Sequence, residues 1–158
     1  MNKKILVPMK RNDRVEDFIP YLENVVGPDM TVVFMLPYPV DGHRCSTQEL
    51  GHKAIVEGKR LASYYTWDTN LRKAQDRISA ALKVLPAKGI EVGVGLYTGS
   101  LKNAVQGHML SGDVHLIITR AGIGDWLGRL LDATMSAFRS FKRPSFSPVL
   151  LINPRTLV

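Results

Sequence analysis

The run Met30-Thr31-Val32-Val33-Phe34-Met35-Leu36 is the stretch that decides the fold class. Nearly all of its side chains are apolar, so both faces of a strand formed here would be covered. Strands that are buried on both faces are typical of parallel sheets flanked by helices. The turn Gly27-Pro28-Asp29 precedes the run, and Pro37 and Pro39 end it. The stretch therefore predicts an inner strand of an α/β sheet.

Four further strand-like runs alternate along the chain with helical patterns. The runs are Lys4–Pro8, Ile90–Tyr97, Asp113–Thr119 and Pro148–Ile152. The predicted helices cover Arg14 to Val26 with Asp13 as cap, roughly Asn70 to Leu85, Ser100 to Leu110 with Ser100 as cap, and Trp126 through Phe138. This order predicts a Rossmann-like, doubly wound, five-stranded parallel sheet flanked by helices. We interpret residues 1–158 as a single domain.

The segment from Val40 to about Tyr65 is interpreted as a loop followed by a helix. Its apolar positions show some helical spacing, in Leu50, Ala54, Ile55 and Leu61. Whether this helix continues into the one after Asn70 is left open by the pattern.

The composition is that of a globular chain. Of its 158 residues, 45% are hydrophobic and 22% charged, which suits one domain with a core of its own. The single cysteine, Cys45, forms no intrachain disulfide, which suits a reducing compartment. The apolar stretch near the N-terminus is too short for a secretory signal, and no run approaches the length of a membrane span. We expect a cytoplasmic protein with no membrane partner.

The chain carries a net charge of +7. Its Lys and Arg residues are spread along the sequence and interleaved with acids, without zinc-finger spacing or an aromatic-basic RNA motif. We therefore interpret the charge as solvated surface and do not expect nucleic acid as a partner.

No motif in the chain indicates catalysis or metal binding. Gly99-Ser100-Leu101-Lys102 only superficially resembles a phosphate-binding loop, and the chain has no His-Glu-x-x-His or Gly-x-Ser-x-Gly element. His43, Cys45 and His52, with Asp41 nearby, match no zinc spacing and are interpreted as part of a polar loop. We expect neither catalytic residues nor a metal site.

A ligand crevice is expected where the winding of the sheet reverses, between the first and fourth strands. Lys10, Arg11 and Arg120 would bring positive charge there, which favours phosphate or another anion. The alternative is that Lys10 and Arg11 are solvated and that Arg120 pairs with Asp125 or Asp132. The candidate crevice residues are Pro8, Lys10, Gly99, Arg120, Gly122, Gly124 and Thr134.

The order and spacing of these elements resemble the universal stress protein family over nearly the whole chain. The resemblance lies in Lys4–Pro8, in Gly99-Ser100, in His115–Ile118 where the family has Asp-Leu-Ile-Val, and in Ser147–Ile152 as the closing strand. It implies a Rossmann-like fold and a homodimer paired through the last strand. Some members of the family bind ATP and others do not.

The chain departs from the ATP-binding members of that family. Lys10 stands where those members have Asp. Arg120, Ile123 and Ala133 occupy the positions of three glycines, and only Thr134 keeps the expected hydroxyl. Side chains at positions where the backbone approaches phosphate would obstruct a nucleotide.

The resemblance and these departures lead us to expect a non-catalytic protein without a cofactor. It would act through a homodimer and through contacts with a protein partner or a small ligand. The pairing strand would be formed by Val149, Leu150, Leu151 and Ile152. The alternative is an ATP or nucleotide binder with a variant site at Lys10, Arg120 and Thr134, with slow hydrolysis as an optional activity.

Overall fold

Five parallel strands form one sheet in the computed structural model, which describes residues 3–40, 66–110, 113–120 and 149–152. The strands are β1 (Lys3–Pro8), β2 (Met30–Pro37), β3 (Glu91–Tyr97), β4 (Val114–Arg120) and β5 (Val149–Ile152). The α-helices among these residues are α1 (Ile19–Val25), α2 (Trp67–Arg77), α3 (Ser79–Val84) and α4 (Leu101–Leu110). Short 3-10 helices cover Val15–Asp17 and Pro86–Lys88. The predicted helices within 41–65 and from Trp126 lie outside the described residues.

The strand order is β3-β2-β1-β4-β5, and every pair is parallel. The chain runs outward from β1 through β2 to β3 and then returns to the other side of β1 as β4. The winding therefore reverses between β1 and β4, as the sequence predicts. The α/β, Rossmann-like fold class is confirmed.

Apolar side chains cover both faces of the sheet. On one face, α1, α2 and α3 pack against alternate strand residues, among them Ile5, Val7, Phe34 and Ile118. On the other face α4 packs, through Val105, against a smaller set: Leu6, Met35, Val114 and Ile117. The inner strand β2 contributes to both clusters, as its apolar run predicts.

The first helix is shorter than predicted, and its predicted cap is wrong. The 3-10 turn at Val15–Asp17 precedes α1, and Arg14 stands at the start of that turn with no side-chain cap. Pro20 occupies the first turn of α1. Because proline lacks an N–H group, a continuous helix from Arg14 would leave a carbonyl without its partner, so the α-helix starts here instead. Asp13 makes other contacts, described below.

The other helix ends agree more closely with the sequence. The predicted helix from Asn70 to Leu85 is divided at Ile78 into α2 and α3, and it begins earlier, with Thr66 as its cap. The Thr66 side chain accepts a hydrogen bond from the Thr69 N–H group. Ser100 caps α4 as predicted, since its Oγ accepts from the Asn103 N–H group at 3.2 Å.

His108 on α4 is expected to make stability depend on pH. Burial, with the Lys4 charge as a second cause, lowers the pKa of His108 below its ordinary value of 6.5. On acidification the unfolded chain then takes up a proton that the folded chain resists, so stability present above pH 6.5 is lost as the pH falls. We therefore expect the free energy of unfolding, measured by urea titration, to decrease as the pH falls below 6.5. The substitution His108→Gln should make this decrease smaller. A fall in His108→Gln as large as in the wild type would contradict this assignment.

No helix within the described ranges is long and apolar enough to cross a membrane. Within the same ranges, no cluster of three or more His, Cys, Asp or Glu side chains is arranged to hold a metal ion. His43, Cys45 and His52 lie outside the described residues.

Candidate ligand crevice at the switch point of the sheet

The crevice lies at the carboxyl ends of β1 and β4. Pro8 and Arg120 are the last residues of these neighbouring strands. After Pro8 the chain stays close to the sheet, because the Met9 N–H group donates to the Met35 carbonyl at 2.9 Å and the Met9 side chain is fully buried. The chain then turns outward at Lys10, which is exposed.

Asp13 closes this turn from within. Its Oδ2 accepts from the Lys10 N–H group at 2.7 Å, and its own N–H group donates to the Lys10 carbonyl at 3.1 Å. Only 6% of Asp13 is exposed. A buried carboxylate needs a charged or hydrogen-bonded partner for each oxygen, and Oδ1 finds its partner in β4.

That partner is Arg120. Its Nη1 lies 3.1 Å from Asp13 Oδ1, and its Nη2 lies 3.7 Å from Asp17 Oδ2. The Arg120 side chain is 31% exposed, so it is held against the sheet end rather than extended into solvent. The structure thus pairs Arg120 with Asp13 and Asp17; Asp125 and Asp132, the predicted partners, lie outside the described residues.

Arg77, on α2, stabilises the same turn by hydrogen bonds to its backbone carbonyls. From α2, its Nη2 donates to the carbonyls of Lys10 at 3.1 Å and of Asp13 at 2.9 Å, and it also donates to the Arg11 carbonyl. Three backbone carbonyls of the turn are therefore held by one guanidinium. The turn is fixed by Asp13 on one side and by Arg77 on the other.

Tyr97, at the end of β3, supports the turn from a third direction. Its hydroxyl donates to the Met9 carbonyl at 3.2 Å. Burial raises the pKa of Tyr97; the Asp13 charge raises it further, and the charges of Arg11 and Arg77 oppose the shift. The hydroxyl therefore stays protonated, and able to donate, throughout the neutral range.

Next to Arg120 on β4, Thr119 carries a buried polar atom without a partner among the described residues. Thr119, next to Arg120, is fully buried, and its Oγ1 makes no hydrogen bond there. A buried hydroxyl without a partner is energetically costly and is uncommon in folded proteins.

The structure brings together some of the predicted site residues. Pro8, Lys10 and Arg120 lie at the β1–β4 edge. Gly99 follows β3, two strands away from β1, with a left-handed φ of 74°. Gly122, Gly124 and Thr134 lie outside the described residues.

Sequence reasoning missed Asp13 and Arg77 as parts of this site. Of these two residues, only Asp13 could have been identified from the sequence, because it is an acidic residue in the loop after the first strand and that loop lies near the switch point. Arg77 lies more than sixty residues away, and its helical pattern carries no sign of its role.

Two positions that the family resemblance assigns to nucleotide binding, 10 and 120, lie within the described residues. Lys10 presents a cation where those members have a carboxylate acceptor. Arg120 places a paired side chain where their backbone would approach a phosphate. We derive no catalytic step through a nucleotide.

Comparisons with known proteins add little to this description. No protein-family model and no curated protein matches the chain. Among solved structures, the crystal structure of a hypothetical protein, PH0823, is 18% identical, with 96% of each chain covered and a TM-score of 0.45. So low a similarity carries no argument about function, and the fold class stands on the observed sheet.

Proposed function

We propose that this chain is a non-catalytic, cytoplasmic protein of the universal stress protein type. It acts through a homodimer and through contacts with a protein partner or a small ligand. The observation that carries the proposal is the outer edge of β5. Within the described part of the chain, β5 pairs with β4 on one side only, and Leu151 on it is 51% exposed.

An apolar strand at the edge of a sheet offers unpaired backbone groups to another chain. Such edges are completed by partners or protected by charges and prolines. The described residues of β5, Val149 to Ile152, include neither charge nor proline. Pairing with a second copy of β5 would satisfy the backbone and cover Leu151 together.

The crevice supports a non-catalytic role. Asp13, the buried carboxylate, is held by Arg120 and by the Lys10 N–H group and is not available as a general base. Arg120 is itself held by carboxylates rather than left open for phosphate.

The second candidate function is nucleotide binding at a variant site. It is favoured by exposed Lys10, a cation that a phosphate could contact at the end of β1. In that case Lys10→Ala and Arg120→Ala should each weaken nucleotide binding, and unchanged affinity in both variants would remove this site assignment.

Native mass spectrometry with and without magnesium ATP separates the two functions. We expect a dimer that neither carries nor gains a nucleotide. A monomer across the concentration range would overturn the dimer. A retained nucleotide at one per subunit would contradict the proposal of a protein without a cofactor. The second function would then become the leading one.

A further inference from the structure

Two aromatic side chains form a stacked pair on the surface. Tyr38 follows β2 and Trp67 begins α2; their ring centroids lie 5.6 Å apart with planes at 27°. Trp67 is 52% exposed, the largest value among the exposed large hydrophobic residues of the described chain. The indole is therefore stacked on Tyr38 and remains open to water over about half of its surface.

Two exposed cations lie in the turn after β1, and one of them contacts the chain next to Tyr38. The Arg11 Nη2 donates at 3.3 Å to the carbonyl of Pro39, the residue after Tyr38. Lys10 precedes Arg11 and is also exposed. Arg77 binds the carbonyls of both residues from α2, the helix that carries Trp67. Arg11 therefore contacts the chain next to Tyr38, and Arg77 ties the turn that carries both cations to α2.

The carboxylates of this region leave most of that charge available. Asp13 and Asp17 are engaged by Arg120. Asp68, next to Trp67, is exposed and opposes a phosphate near the start of α2. A polyanion would therefore run along the Lys10–Arg11 side of the aromatic pair.

We propose that this surface, formed by Lys10, Arg11, Tyr38 and Trp67, binds single-stranded nucleic acid. An unpaired base would stack on the aromatic pair, and the neighbouring phosphates would contact the two cations. This combination of stacking and backbone charge is the one by which proteins hold single strands without reading their sequence. In a duplex the base faces are covered, so the surface selects the single strand. The net charge of +7, interpreted from the sequence alone as solvated surface, would in this case draw the strand towards the protein.

The surface could not be predicted from the sequence. Its members lie in separate loops around β1, β2 and the start of α2, so no local aromatic-basic motif exists. Binding here does not require the dimer, and it shares only Lys10 with the nucleotide alternative.

The test measures fluorescence anisotropy of a labelled oligothymidylate of about 15 nucleotides. We expect binding at low salt, and we expect Trp67→Ala to weaken it about tenfold whereas Trp67→Phe retains most of it. Lys10→Gln with Arg11→Gln should reduce the slope of log affinity against log salt by about 1.4, since each contact with a single strand contributes about 0.7. Circular dichroism of each variant checks that it is folded.

Matched controls remove the same groups elsewhere. Lys3→Gln with Lys83→Gln removes two exposed charges away from this surface, and Leu82→Ala removes an exposed apolar side chain. Both controls should leave stacking and the site-specific salt slope in place. The proposal is overturned if no binding is seen at about 50 mM salt, or if a duplex binds with equal affinity. It is also overturned if the control variants lose as much affinity as the surface variants. A fourth contradicting result is that ATP displaces the labelled strand as effectively, per molecule, as the unlabelled strand does.

Discussion

Replacing Asp13 by Ala is expected to lower the free energy of unfolding by about 2–3 kcal/mol. The carboxylate is almost completely buried and holds two groups, the Lys10 N–H and the Arg120 guanidinium. Without it, the N–H group loses its acceptor and the guanidinium loses its nearer charge. Because Arg120 is about a third exposed, water recovers part of that loss, which places the effect below that of a fully buried pair.

The matched control is Asp17→Ala. Asp17 interacts with the same arginine at a longer distance, 3.7 Å, and is only partly buried. We expect less than about 1 kcal/mol from its removal. Asp13→Asn should fall between the two, since an amide oxygen can still accept from the Lys10 N–H group. Urea unfolding measures all three, and equal losses for Asp13→Ala and Asp17→Ala would show that Asp13 does not hold the turn.

Leu151→Arg is expected to weaken the proposed dimer about a hundredfold or more. Two charges would face each other across paired edges that carry no compensating acid in the described part of β5. The monomer should tolerate the change, because Leu151 is half exposed. Sedimentation equilibrium over a range of concentrations gives the dissociation constant.

Leu82→Arg provides the comparison for this change. Leu82 is an exposed leucine on α3, 38% accessible, and takes no part in the edge of the sheet. Its substitution should leave the dimer intact. If Leu151→Arg protein associates as strongly as the wild type, the dimer does not use β5; if Leu82→Arg dissociates it, the interface lies on the helical layer.

The strands could be predicted from the sequence because their signals are local. The apolar run at Met30–Leu36 requires cover on both faces, and that requirement holds whatever surrounds it. The cap at Ser100 was likewise predictable, since a hydroxyl and an N–H group three residues later form one local unit. The prediction of Asp13 as a helix cap was wrong because it used only the local sequence. In the structure Asp13 pairs with an arginine that is distant along the chain, Arg120.

The sequence by itself determined the alternation of strands and helices, the parallel sheet and the position of the switch point. Each follows from periodicity and turn residues that lie close together along the chain. Only the tertiary structure decided the contents of the crevice and the surface beside it. Arg120 forms an ion pair with Asp13, and Arg77 donates a hydrogen bond to the Lys10 carbonyl. The members of each pair are more than sixty residues apart in the sequence. Such pairings arise from the packing of whole elements against each other, and no pattern within a single segment encodes them.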